Sequence, residues 1–135
     1  MKFKQLRRKM QGFTLMELMI IITVLGIIAA IALPSYRRQV QTTNRKAAIA
    51  EMKVIEQRLE RFYTTHNGTY TGANTDQVDV RGYAININIP AGGQSYQITA
   101  ALAGDGMGDP SCGNLTMDSL GDHSSSVSGA NKCFR

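Results

Sequence analysis

Residues 13–33 read FTLMELMIIITVLGIIAAIAL, twenty-one side chains of which one, Glu17, is charged. As a helix rising about 1.5 Å per residue, this run spans roughly 30 Å, the thickness of a bilayer's hydrocarbon. Five bases, Lys2, Lys4, Arg7, Arg8 and Lys9, precede it, and no acid does. That bias keeps the start of the chain cytoplasmic and sends everything after Leu33 outward. A secretory signal peptide would have a shorter apolar core and a small-x-small cleavage site beyond it. Ala29-Ala30-Ile31-Ala32 imitates such a site loosely, but the run is long and helix-forming sequence follows it. The segment reads as an anchor that is kept.

The formal net charge of +5 belongs to those first residues, because the rest of the chain carries ten bases and ten acids. A general polyanion-binding body is therefore disfavoured. The remaining charge is uneven. Arg37, Arg38, Arg45, Lys46, Lys53, Arg58 and Arg61 face three acids, Glu51, Glu56 and Glu60, whereas six acids between Asp76 and Asp122 face only Arg81. Solvated faces account for such a pattern, and so does a dipolar unit that stacks end to end.

Beyond Pro34 the apolar residues Ala48, Met52, Ile55, Leu59 and Phe62 recur at steps of four and three, one face of a helix. Asn67-Gly68 supplies the left-handed stop. One helix is thus expected from near Phe13 to about Thr65, with Gly26 and Pro34 as points of bending or local melting. From Arg81 the period becomes two: Tyr83, Ile85, Ile87 and Ile89, then, after Pro90 and Gly92-Gly93, Tyr96, Ile98, Ala100 and Leu102. These form a hairpin. Leu115 with Met117 and the stretch from His123 to Val127 extend it to about four strands, and residues 69–80 read as a connecting loop. The expected fold is α+β, a long helix whose stripe covers a small antiparallel sheet.

So small a core calls for a staple. Cys112 and Cys133 are the only cysteines, both in the outward part, and a disulfide between them is expected. Closing that loop would contribute roughly 3 kcal/mol by chain entropy. Two cysteines and a distant His123 are too few for a metal site. Asp105-Gly106-Met107-Gly108-Asp109 lacks the ligand number and closing glutamate of a calcium loop, and a flexible glycine-rich hairpin accounts for it better. No nucleophile constellation surrounds His66 or His123, and Ser124-Ser125-Ser126 reads as polar turn or edge strand. Neither an enzyme nor a cofactor is expected.

Glu17 remains to be explained. A carboxylate near the centre of a membrane helix costs on the order of 3 kcal/mol, and less near the interface. Snorkelling to the headgroups, or protonation, would suffice for the acid alone. If the chain is cut between Gly12 and Phe13, however, Phe13 gains a free α-amine at a helix N-terminus. That cation is a natural partner for Glu17 of an adjoining helix shifted by a turn, and such a pair fixes register.

Gly12-Phe13-Thr14-Leu15-Met16-Glu17-Leu18, behind a basic leader and ahead of the apolar run, closely resembles the type IV prepilin signature. The resemblance extends to Ile31-Ala32-Leu33-Pro34-Ser35-Tyr36, to the stretch from Arg61 to Tyr70 and to the terminal cysteine pair, and is nearest to the PilE-type minor pilins of Gram-negative bacteria. It implies cleavage after Gly12 by a prepilin peptidase of the inner membrane, methylation of the Phe13 amine by the same enzyme, and an assembly role for Glu17 and Pro34. It also implies other pilin subunits and an inner-membrane assembly platform as partners, and an exposed region bounded by the cysteines. The expected organisation is a leader over 1–12, a membrane and assembly helix over 13–34 and a periplasmic head over 35–135. The head would comprise helix 35–66, loop 69–80, sheet 81–128 and a disulfide-bounded region 112–133. The chain would wait in the inner membrane and then enter an extracellular pilus. Direct DNA binding is not favoured, because the late segment offers Arg81, Lys132 and Arg135 against six acids. A DNA-binding competence pilin and a type II secretion pseudopilin are the alternatives.

Overall fold

The protein is described by a computed structural model that covers residues 12–127 and 129–135, the side chains of 130 and 131 excepted. Of the expected leader, only Gly12 lies within the described residues. The chain divides into two compact units, 1–36 and 37–135. Helix α1, Leu15–Thr65, contributes to both and continues through Gly26 and Pro34. The melting expected at Pro34 does not occur. Proline removes one helical hydrogen bond but its fixed φ is helical, and the strong helix formers Ala32 and Leu33 precede it.

In the first unit the apolar side chains of α1 are exposed, Leu25 and Ile28 among them. By length and composition this helix suffices to cross a membrane. In the second unit α1 buries Asn44, Ala48, Met52, Ile55 and Leu59. The stripe thus begins one turn earlier than expected and stops before Phe62, which instead stacks on His66 with ring centroids 3.7 Å apart. Asn67 and Gly68 both take positive φ, and the Gly68 N–H returns to the Tyr63 carbonyl at 3.1 Å, ending the helix as their residue types require.

The sheet has five antiparallel strands in sequential order: β1 Val78–Val80, β2 Tyr83–Asn88, β3 Gln97–Leu102, β4 Leu115–Asp118 and β5 His123–Ser125. The expectation of about four strands and a loop over 69–80 is corrected at β1, where Val78 and Val80 pair with Ile85 and Tyr83. Three residues are too few for a period of two to register in the sequence. The sheet accordingly runs from Val78 to Ser125 rather than over 81–128, and a short helix α2, Ala130–Cys133, follows it. Tyr83, Ile85, Ile98, Ala100, Leu115 and Met117 point from one face of the sheet into the core shared with α1. The arrangement is α+β, a helix laid on an antiparallel sheet.

Gly82 and Gly108 let two backbones meet here. A Cβ on Gly82 would lie 2.5 Å from the Gly108 nitrogen, and Gly82 also has φ of +84°. Any side chain would therefore be strained and would overlap main chain.

Candidate functional site

The start of α1 is built by Thr14. Its hydroxyl accepts the N–H of Glu17 at 3.2 Å and satisfies one of the orphan donors of the first turn. Thr14-x-x-Glu17 has the spacing of a capping box, a sequence signal that reading Glu17 only as a misplaced charge overlooked. The Glu17 side chain is exposed, and among the described residues no ion pair engages it. Phe13 is 80% exposed. Gly12 has open space where a Cβ would stand, with nothing within 4 Å, so packing of the described residues does not require glycine there. Gly12, Phe13 and Glu17 thus gather at one helix end, whereas Pro34 lies far along the same helix and Cys112 and Cys133 lie in the other unit.

In the head, three polar side chains of α1, those of Gln41, Asn44 and Arg45, hold the segment after β3. Gln41 Nε2 donates to the Gly106 carbonyl at 3.2 Å and Asn44 Nδ2 to the Met107 carbonyl at 2.9 Å. Arg45 forms an ion pair with Asp109, and its Nη1 lies 3.1 Å from Cys112 Sγ. The Asp109 N–H donates to the Tyr83 hydroxyl at 3.1 Å, and Asp109 Oδ1 accepts the Ser111 N–H at 3.0 Å. The expected flexible hairpin over Asp105–Asp109 is therefore corrected: it is a pinned segment, because a helix sixty residues upstream supplies its hydrogen bonds. Cys112 and Cys133 form a disulfide with Cα atoms 5.8 Å apart. Among the described residues no group of three or more His, Cys, Asp or Glu side chains comes together.

Near the other end of the head helix, Glu60 Oε1 accepts hydrogen bonds from the hydroxyls of Tyr70 at 2.9 Å and Tyr96 at 3.2 Å. The two rings meet edge to face at 5.0 Å. Burial, then the hydrogen bond to Glu60, pushes the Tyr70 hydroxyl up to about 12, and burial raises Tyr96 further. An unfolded tyrosine ionises near pH 10. Between about pH 10 and 12 the unfolded chain thus sheds protons that the folded head retains, and the stability these groups contribute, intact below pH 10, is lost as the pH rises. Thermal midpoints measured from pH 8 to 11.5 should fall above pH 10. The fall should be shallower in Tyr70→Phe, even though that variant starts lower for want of its hydrogen bond. An equal slope would show that Tyr70 does not carry the effect.

A family described as "Type IV minor pilin ComP, DNA uptake sequence receptor" matches residues 34–116, more than half of the chain. The chain belongs to the type IV pilin family. Residues 7–33 match the prokaryotic N-terminal methylation motif. The type IV major pilin protein PilE1 of Neisseria gonorrhoeae is 30% identical over 103 residues, covering 72% of this chain and 60% of that one. The chain therefore spans less than two thirds of this relative's length. The type II secretion system core protein G of Dickeya chrysanthemi is 28% identical over 65 residues, covering 48% of this chain and 42% of that one. A type IV pilin from Shewanella oneidensis superposes with a TM-score of 0.57 at 22% identity, over 66% of this chain and 96% of that one.

In this pilin the C-terminal aromatic residue is partly packed away. Phe134 sits edge to face with His123 at 4.9 Å, and His123 Nε2 lies 3.2 Å from Lys53 Nζ. The basic and aromatic corner of Lys132, Phe134 and Arg135 therefore offers two exposed cations beside a half-buried ring.

Proposed function

We propose that this chain is a minor subunit of a type IV pilus and acts as a structural component rather than as an enzyme. Its basic leader is removed after Gly12 by a prepilin peptidase, and the new Phe13 amine is methylated. Residues 13–34 hold it in the inner membrane with the head, residues 35–135, in the periplasm. The assembly platform then draws it into the filament. The observation that carries this reading is the methylation motif at 7–33 followed directly by the minor-pilin match at 34–116. A Gly12 that packing does not explain, and an exposed acid at the fifth residue beyond the cut, add to it. Glu17 would pair with the Phe13 amine of an adjoining subunit, a contact worth more as register than as net stability.

Glu17→Leu tests this. It removes the carboxylate, leaves the apolar run intact and preserves Thr14 as cap. The variant should insert and mature, yet its recovery in sheared filaments should fall by about thirtyfold or more, because stranding one partner of a buried charge pair at an interface costs about 2 kcal/mol or more. Undiminished recovery would refute the register role.

A second reading, reception of DNA during uptake, is favoured by the description of the matching family. Its chemistry would draw on the exposed Lys46, Arg58 and Arg61 of α1 and on Arg81, Lys132 and Arg135, against the acids of the sheet. Binding of the head to duplex DNA should then weaken steeply with salt. No binding even at low salt would end this reading.

A further inference from the structure

The turn between β4 and β5 presents Leu120 to solvent, 86% exposed and the most exposed large apolar side chain of the head among the described residues. Isolated exposed leucines are ordinary. This one differs in how it is held. The N–H groups of Leu120 and Asp122 both donate to Asp118 Oδ1, at 3.0 and 2.9 Å. The N–H groups of Gly121 and Asp118 donate to the Asp118 and Asp122 carbonyls, each at 3.2 Å, and that of Ser119 donates to the Tyr96 carbonyl at 3.2 Å. Every backbone donor from Asp118 to Asp122 is therefore used, and the leucine stands on a turn already ordered.

Two concavities flank it, of about 570 and 380 Å³, and Tyr96, Ser119 and Leu120 line both. An apolar projection on a preorganised turn, with hollows of mixed polar and apolar lining on either side, has the make-up of an interface anchor: a desolvating centre, hydrogen-bonding groups around it and little ordering left to be done on binding. The rim is acidic. Glu56 and Glu60 line the larger hollow with Arg61, Lys53 pairs with Glu56 at 3.0 Å, and Asp118 and Asp122 belong to the turn itself, so four acids meet two bases. A polyanion is repelled from such a rim, whereas a surface with cationic side chains around an apolar depression complements it. The head helix of this chain itself carries bases beside small apolar side chains: Lys46 and Arg58 are exposed with Ala47, Ala50 and Val54. A contact between two different surfaces of like subunits also propagates into an open helical array.

The geometry points to the 118–122 turn as a docking element, with Leu120 as the anchor that enters a base-rimmed apolar depression on the head of a neighbouring pilin subunit. The inference rests on the reading of the chain as a filament subunit and adds the surface by which its head is gripped. The full-length chain in its own cells provides the test, with a benzophenone side chain at position 120 in one variant and Leu120→Asp in another. In sheared filaments the benzophenone should join the chain to a second pilin subunit, at a peptide carrying exposed bases. Leu120→Asp should mature and form its disulfide normally while its recovery in filaments falls about tenfold. Parent chain present in filaments with no such cross-link, a cross-link to a non-pilin molecule, or undiminished recovery of Leu120→Asp would overturn the docking role and leave the filament reading standing. Absence of the parent chain from filaments would overturn the filament reading itself, and this inference with it.

Discussion

Replacing Gly12 with leucine is expected to leave a full-length precursor in the membrane, with the fraction cut falling about 100-fold. The size of the effect follows from how sharply catalysis depends on position: a displacement of about 1 Å at a scissile bond can cost that much. The substitution is informative because the chain itself tolerates it. A Cβ at position 12 would meet nothing within 4 Å, and the first helical turn is secured by Thr14 rather than by Gly12. Loss of maturation in such a variant therefore reports on a protease that must admit the residue before the cut, not on folding. The measurement is the intact mass and N-terminal sequence of detergent-extracted material. The parent should begin at a methylated Phe13 and the variant at Met1, five bases still attached. An uncut chain also lacks the Phe13 amine, so the variant should be missing from filaments as completely as from the mature pool. Normal maturation would remove the cleavage claim and, with it, the partner assigned to Glu17.

Arg45→Ala should destabilise the head by about 3 to 5 kcal/mol, the usual cost of stranding one member of a buried ion pair. Arg45 and Asp109 side chains are 11% and 8% exposed. Without the guanidinium, the Asp109 carboxylate would keep its bonds from Ser111 but would stand buried with its charge uncompensated. For a head of this size the loss amounts to a fall in thermal midpoint of roughly 15 °C or more. Arg45→Met combined with Asp109→Asn removes both charges and should recover most of the loss, because the desolvation penalty disappears along with the attraction. Denaturation should be followed with the disulfide kept oxidised, so that changes at 112–133 do not mix with those at the clamp. A cost below about 1 kcal/mol for Arg45→Ala would place the pair among solvent-screened contacts and contradict the buried clamp.

The parts of this fold legible in the sequence are those with a local period or a local stop. The anchor helix shows as an apolar run, the buried face of α1 as Ala48, Met52, Ile55 and Leu59, the hairpin β2–β3 as alternation across Pro90 and the two glycines, and the helix end as Asn67-Gly68. The N-terminal group of Gly12, Phe13 and Glu17 was legible for the same reason, since all three lie within six residues of sequence. Thr14 is legible too, through its capping-box spacing to Glu17. Phe62 kept the period but left the core, its ring stacking on His66 instead.

By itself, then, the sequence determined an apolar helix with one acid at its head, an amphipathic continuation and a hairpin for it to cover, because each is written in residues a few positions apart. Tertiary structure alone decided that β1 joins the sheet, that Gln41, Asn44 and Arg45 pin the segment ending at Asp109, that Glu60 gathers two tyrosines and that Leu120 stands out on a locked turn. These contacts join residues as much as 65 positions apart. Periodicity reports which face of an element is buried, but only packing brings particular faces together and chooses which distant polar groups satisfy one another.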